Sequence, residues 1–317
     1  MTATLTRRSA AALLAALPLA ARGTAARAAA RELRIGYQKN GTLLLLKQQR
    51  TLETHLADLG VSVSWNEFGS GPPLLEALNA GGIDFGATGD TPPIFAQAAG
   101  AELVYVAYQP APGANSAVLV HDDGPVRTLA DLKGRRVAFT KGSSAQNVIV
   151  QVLRHAGLQY RDIQPVYLQP ADATAAFRQG AVDAWSIWDP FYAIAERDPG
   201  TRVLTSALGI APSNSFFLAR RDYVRSNAQV VARVIGDITG ATSWIGQHQD
   251  ELAKLMAAAT GVPYDIQRVA AARGNYDTGF MTPAVVAQQQ AIADAFSELG
   301  LLPGRIRVAD IVWTPTA

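Results

Sequence analysis

The stretch ALNAGGIDFGATGD, Ala77 to Asp90, decides the fold because the chain repeats it: AFRQGAVDAWSIWD follows at Ala176 to Asp189. Each copy runs from helix-forming residues through a glycine turn into a short β-rich run that ends at an aspartate. A second matched pair, RIGYQK (Arg34–Lys39) and RVAFTK (Arg136–Lys141), precedes the first at a similar distance in each half. Such a repeat implies two lobes of like topology. Alternation of β-rich runs with stretches of helical period makes the fold class α/β, each lobe a mostly parallel sheet flanked by helices. The uncharged QPAPGANSA (Gln109–Ala117) and APSNS (Ala211–Ser215) are the expected crossing points between lobes.

Working outward, the first 30 residues are of another kind. Arg7 and Arg8 precede an apolar run over Ser9–Ala21 and a small-residue stretch ending ARAAA at Ala30, the order of a cleavable export signal. The run is too short to span a bilayer. The paired arginines also suit the twin-arginine route. The expected boundaries are therefore 1–30 signal peptide, 31–114 first part of lobe 1, 115–215 lobe 2, and 216–317 a helix-rich return to lobe 1. A helix is expected from Thr282, with Pro283 at its start, Val285, Ile292, Phe296 and Leu299 on one face, and Gly300 past its end.

The whole chain of 317 residues carries a net charge of +2, but the leader holds four basic and no acidic residues. The remaining 24 basic and 26 acidic residues give no electrostatic argument for nucleic acid or an anionic surface. With no cysteine, an exported chain has no disulfide, thiolate metal site or lipid-anchor residue, so it is expected free in a periplasm, without membrane insertion. No G-x-S-x-G elbow or P-loop frame occurs, and His55, His121, His155 and His248 share no metal-ligand spacing. No cofactor or metal is expected, and a binding protein is preferred over an enzyme.

In α/β folds ligands sit beyond the carboxyl ends of parallel strands. Here those ends are Gln38-Lys39, Thr88-Gly89-Asp90, Thr140 to Ser144, and Trp185 to Asp189, and all four are expected to face a cleft between the lobes. ATGDTPP reads as a strand-to-helix turn, with Asp90 or Thr91 at the cap and proline in the first helical turn. KGSSAQN is its counterpart, with Ser143 or Ser144 at the cap and the other free for a ligand. Asp189, followed by Pro190, reads as a helix cap. Helix starts offer unsatisfied N–H donors and partial positive charge, so the cleft suits an anion.

GYQK, ALNAGGIDFGATGDTPPIFAQAAGAELVYV, LKGRRVAFTKGSS and DIQPVYLQPADATAAFRQGAVDAWSIWDPFY closely resemble the periplasmic aliphatic-sulfonate-binding proteins of ABC importers, within a family that includes taurine and nitrate binders. The resemblance implies a two-lobed type II periplasmic binding protein that closes on an organosulfonate and presents it to a membrane permease. Its ligand loops carry over onto Gln38, Thr88–Asp90, Ser143–Ser144 and Trp185–Asp189. A sulfonate stays ionised and only accepts hydrogen bonds, so its pocket calls for N–H groups, hydroxyls and the Gln38 amide. An alkyl tail calls for an apolar wall, for which Trp185, Trp188 and Phe216 are the candidates. Lys39 and Lys141 are expected to point outward. A phosphonate would use Asp90 or Asp189 as proton acceptor, so taurine, nitrate and phosphonate binders remain alternatives, as do an enzyme or sensor on the same fold.

Overall fold

Strand parity and helix punctuation build the two lobes, and the computed structural model describes residues 31–315, so the expected leader lies outside the described residues. The first half contains β1 (Arg31–Tyr37), α1 (Gly41–Gln49), α2 (Thr51–Ala57), β2 (Val61–Glu67), α3 (Gly71–Asn79), β3 (Phe85–Thr88), α4 (Thr91–Ala98) and β4 (Leu103–Gln109). The second repeats the scheme with β5 (Ser116–His121), β6 (Arg136–Phe139), α5 (Ser144–His155), β7 (Gln164–Tyr167), α6 (Pro170–Arg178), β8 (Ala184–Trp188), α7 (Phe191–Ala195) and β9 (Thr201–Ser206). Then follow β10 (Ser215–Arg220), α8 (Arg221–Ser226), α9 (Ala228–Gln247), α10 (Gln249–Thr260), α11 (Tyr264–Arg273) and α12 (Pro283–Glu298).

The strands form two five-stranded sheets, ordered β2-β1-β3-β10-β4 and β7-β6-β8-β5-β9. In each, one strand is reversed: β10 is antiparallel to β3 and β4, and β5 is antiparallel to β8 and β9. The reversed strands follow crossings from the other lobe, which span residues 110–115 and 207–214. The sheets are thus the same design, each completed by a strand reached through a linker.

Both faces of each sheet are covered. On the first sheet Phe85, Phe217 and Ala219 face α1, α2, α9 and α10, while Tyr105, Phe216 and Leu218 face α3, α4 and α12. On the second, Val118, Val137 and Phe139 lie under α5, while Leu119, Trp185 and Ile187 lie under α6 and α7. The return segment accordingly packs mainly on the first lobe, with α11 also touching α7 of the second. The Thr282 hydroxyl accepts the Val285 N–H at 3.3 Å and starts α12 where the sequence places it. Val285, Ile292 and Phe296 are buried as expected, whereas Leu299, just past the last helical residue, is exposed.

Candidate functional site

The strand ends and helix starts converge on one cavity between the sheets, lined by Gln38, Thr88, Gly89, Ser143, Ser144, Trp188 and Asp189. The starts of α1, α3 and α5 contribute Gly41, Gly71 and Ser144 to the same wall. None of these three starts takes a side-chain cap, so first-turn N–H donors remain for an acceptor from outside the helix. Among the described residues, no lysine or arginine lines the cavity. Lys39 instead pairs with Glu67 at 3.1 Å, and Lys141 lies over the Tyr167 ring. Attraction for an anion therefore comes from helix ends and neutral donors.

The hydroxyls differ in availability. Ser143 donates to the Thr140 carbonyl at 2.7 Å and Thr88 to the Gly89 carbonyl at 3.0 Å. Ser144 has no such backbone engagement among the described residues, which leaves its hydroxyl free to donate into the cavity. A Cβ added to Gly89 would lie 1.9 Å from Ser144 Oγ, so the two lobes touch at this point through the one residue type that permits it. Gln38 Nε2 reaches the Ala87 carbonyl only at 3.3 Å, a long bond that leaves its amide adaptable.

Asp189 follows Trp188, the last residue of β8, at the other side of the cavity. Its Oδ1 accepts the Ala193 N–H at 2.9 Å and so satisfies a first-turn donor of α7, although the cap position itself is held by Pro190 rather than by Asp189 as the sequence suggests. Arg273, on α11, reaches that oxygen at 3.4 Å but holds Glu196 with two bonds of 2.7 Å. Burial pushes the Asp189 carboxyl up to about 7, against the opposing pull of Arg273 and the Ala193 N–H.

Three expected site residues do not line the cavity. Asp90 is fully buried behind it, where Oδ1 accepts the Thr91 hydroxyl at 2.7 Å and Oδ2 accepts Asn147 Nδ2 at 2.8 Å. Its carboxylate makes no cap to α4, and burial raises its pKa. Trp185 projects to the face of β8 opposite Trp188, as residues three apart on a strand must, and packs against Phe177 in the core. Phe216 faces Tyr105 edge-on at 5.0 Å, and its neighbour Phe217 takes the cavity-lining position.

Comparison with known proteins gives a consistent picture. The family described as NMT1/THI5 like matches residues 55–252. A candidate aliphatic sulfonates-binding protein of Escherichia coli (strain K12) is 41% identical over 96% of this chain and 96% of its own length. The chain belongs to the aliphatic-sulfonate-binding proteins. Among solved structures, the alkanesulfonate-binding protein SsuA of Xanthomonas axonopodis pv. citri, bound to MOPS, superposes with a TM-score of 0.84 at 43% identity, covering 89% of this chain and 98% of that one. The periplasmic aliphatic sulphonate binding protein SsuA of Escherichia coli gives 0.82 at 42% identity, covering 90% and 93%. A desulfurization enzyme, DSZB, shares the fold alone, at 16% identity and a TM-score of 0.66.

Sequence reasoning missed part of the wall of this aliphatic-sulfonate-binding protein. Asn40 and Thr42 at the start of α1, and Gln109, Asn115, Ser213 and Ser215 at the crossings, also line the cavity. The signal for the last four was present, because segments that cross between lobes run along the floor of the cleft. Gln109 is fixed there by accepting the Thr42 hydroxyl at 3.2 Å and donating to the Asn275 carbonyl at 2.6 Å.

Proposed function

We propose that this protein is the exported substrate-binding component of an ABC importer, capturing aliphatic sulfonates in the periplasm for sulfur acquisition and presenting them to a membrane permease. The observation that carries the reading is an inter-lobe cavity whose anion-attracting groups are uncapped helix starts and the Ser144 hydroxyl, with no basic side chain in its wall among the described residues. A sulfonate is permanently ionised and accepts hydrogen bonds without returning any, so a wall of donors suits it. Family membership supports the same ligand class, and MOPS, held by the Xanthomonas relative, is itself an N-substituted propanesulfonate.

Ser143–Ser144, Thr88–Gly89 and Gln38 form the proposed head-group site, and Trp188 flanks it. Capture and delivery require no turnover, and the candidate relatives are binding proteins, so a non-catalytic role is preferred. No helix among the described residues is long and apolar enough to cross a membrane. The proposed lobe boundaries place hinges at the two crossings, near Ala111–Ser116 and Ala211–Ser215.

Calorimetry on the chain lacking residues 1–30, in sulfonate-free buffer, tests the ligand class. A medium-chain alkanesulfonate is expected to bind with Kd of roughly micromolar order, equivalent to about −8 kcal/mol. Taurine, nitrate, sulfate and phosphonates are expected to bind more weakly. Tighter binding of nitrate with no heat from any sulfonate would overturn the ligand, and turnover of a bound sulfonate would overturn the non-catalytic role.

A further inference from the structure

A second space lies between the lobes, on the side of the crossings away from the cleft. Gln151 and Arg154 of α5, Pro212 of the second crossing, and Gln288, Asp294 and Glu298 of α12 line an open groove of about 550 Å³. A buried polar layer separates it from the cleft. In that layer Asp90 Oδ2 accepts Asn147 Nδ2 at 2.8 Å, the Asp90 carbonyl accepts Gln289 Nε2 at 2.6 Å, and Asn214 Nδ2 donates to Gln288 at 3.1 Å. Val150, one turn along α5 from Asn147, packs in the core of the first lobe. These contacts, next to a chain crossing, make the layer the pivot for rotation of one lobe against the other. With the pivot between them, the two spaces change in opposite senses, and a rotation that opens the cleft narrows the groove. The volumes accord with lobes closed on the cleft side, where the cavity holds about 120 Å³.

Helix geometry says what meets when the groove narrows. Both α5 and α12 leave the pivot layer along the groove, one from Asn147 and the other from Gln289. Arg154 stands seven residues past Asn147, which is about 10 Å along α5. Asp294 and Glu298 stand five and nine residues past Gln289, which is about 8 and 14 Å along α12. The guanidinium is therefore level with the interval between two carboxylates of the opposite lobe. All three residues are exposed, and none makes an ion pair among the described residues. Asp294 only accepts Gln290 Nε2 of its own helix, at 2.9 Å. Opposite charges thus face each other across the groove, away from the pivot, where rotation brings the largest displacement.

We infer that Arg154 and the Asp294–Glu298 pair form an opening latch behind the hinge: an ion pair that is parted in the closed molecule, forms as the cleft opens, and so sets ligand affinity from outside the cleft. The inference rests on the reading above, in which the protein closes on a sulfonate. An exposed pair is weak, which suits the role, because a strong one would hold the cleft open against its ligand.

The test is charge reversal, which is expected to tighten binding. Arg154→Glu puts like charges across the groove and disfavours the open form, so the empty variant should be more compact than empty wild type in X-ray scattering. Its Kd for hexane-1-sulfonate, measured by calorimetry at low salt, should fall roughly three- to tenfold. Asp294→Lys with Glu298→Lys should do the same from the other lobe. Joining all three substitutions restores opposite charges and should return both the radius of gyration and Kd to the wild-type values. Unchanged scattering and unchanged or weaker binding in both one-sided variants would overturn the latch. Tightening that persists in the combined variant would overturn it too, since the effect would not depend on the facing charge. Failure of wild type to bind any sulfonate would overturn the ligand reading instead, and scattering from the empty proteins would still decide the latch.

Discussion

At the scale of single residues, Gly89 and Ser144 set how closely the lobes can meet. Gly89 needs no left-handed backbone, so alanine fits its conformation, yet a Cβ there would lie 1.9 Å from Ser144 Oγ on the facing lobe. Gly89→Ala should therefore oppose closure and leave each lobe intact. Overpacking of this kind costs about 1–3 kcal/mol, so affinity should fall roughly tenfold or more with the unfolding midpoint of the empty protein unchanged. Ser144→Ala removes a donor without adding bulk, and a hydrogen bond to a charged group contributes about 1.5–3 kcal/mol. Its loss should be equal for short and long alkanesulfonates, because all share the head group. Calorimetry with both variants across a chain-length series checks the pair; a loss that grows with tail length in Ser144→Ala would remove that serine from the head-group site. The serine pair was legible from its place after a strand-ending glycine turn. Trp185 and Phe216 were misleading because both faces of each sheet are buried, which removes the polar alternation that would say which face looks toward the cleft.

At the scale of elements, the repeated sequence corresponds to a repeated clamp. Arg34 at the start of the RIGYQK segment gives Asp84 its backbone N–H at 3.0 Å, Nε at 2.8 Å and Nη2 at 2.7 Å. Arg136 gives Asp183 the same three groups at 2.8, 3.2 and 2.8 Å. Each clamp fixes the loop before the strand that carries a cleft turn, β3 in one lobe and β8 in the other, and the arginine and aspartate recur at matched places. That is why the topology was readable from short motifs. The two clamps differ in burial: the Asp84 side chain is 3% exposed and Asp183 is 23% exposed. Arg220 also approaches Asp84, at 3.7 Å. Asp84→Ala leaves Arg34 and Arg220 without their carboxylate but still partly in contact with water, so it should cost about 1–3 kcal/mol, and Asp183→Ala less, on the order of 1 kcal/mol or below. Chemical denaturation of both variants tests the ranking, and equal losses would mean that solvent screens the clamps alike. The part of the wall supplied by α10 and α11 was not legible, because nothing local in those helices records that they return to roof the cleft.

At the scale of the whole molecule, the lobes are held together here by Val150 of α5, which packs into the core of the first lobe, and by a few polar contacts. Asn40 Nδ2 donates to the Asp189 carbonyl at 3.3 Å, Ser70 Oγ to Gln169 Oε1 at 2.8 Å, Asn147 Nδ2 to Asp90 Oδ2 at 2.8 Å, and Arg273 to Glu196 at 2.7 Å. Water satisfies the same groups when the lobes part, so each contact adds only about 1 kcal/mol net. Against them, closure without a ligand brings the positive ends of α1, α3 and α5 onto one cavity. An anion converts that repulsion into attraction, so the ligand should shift an equilibrium that favours the open form when empty. Saturating sulfonate should then reduce the radius of gyration measured by X-ray scattering. Ser70→Ala isolates the energetics, because Ser70 contributes to closure without lining the cavity. Loss of about 1 kcal/mol from the closed form alone should raise Kd about fivefold, equally for every sulfonate. The unfolding midpoint of the ligand-free variant should not move, since an open empty protein does not make that bond. The two measurements stand or fall together: an unchanged radius of gyration with an unaffected Kd in Ser70→Ala would mean that the empty protein is already closed, its helix ends stabilised by some other means.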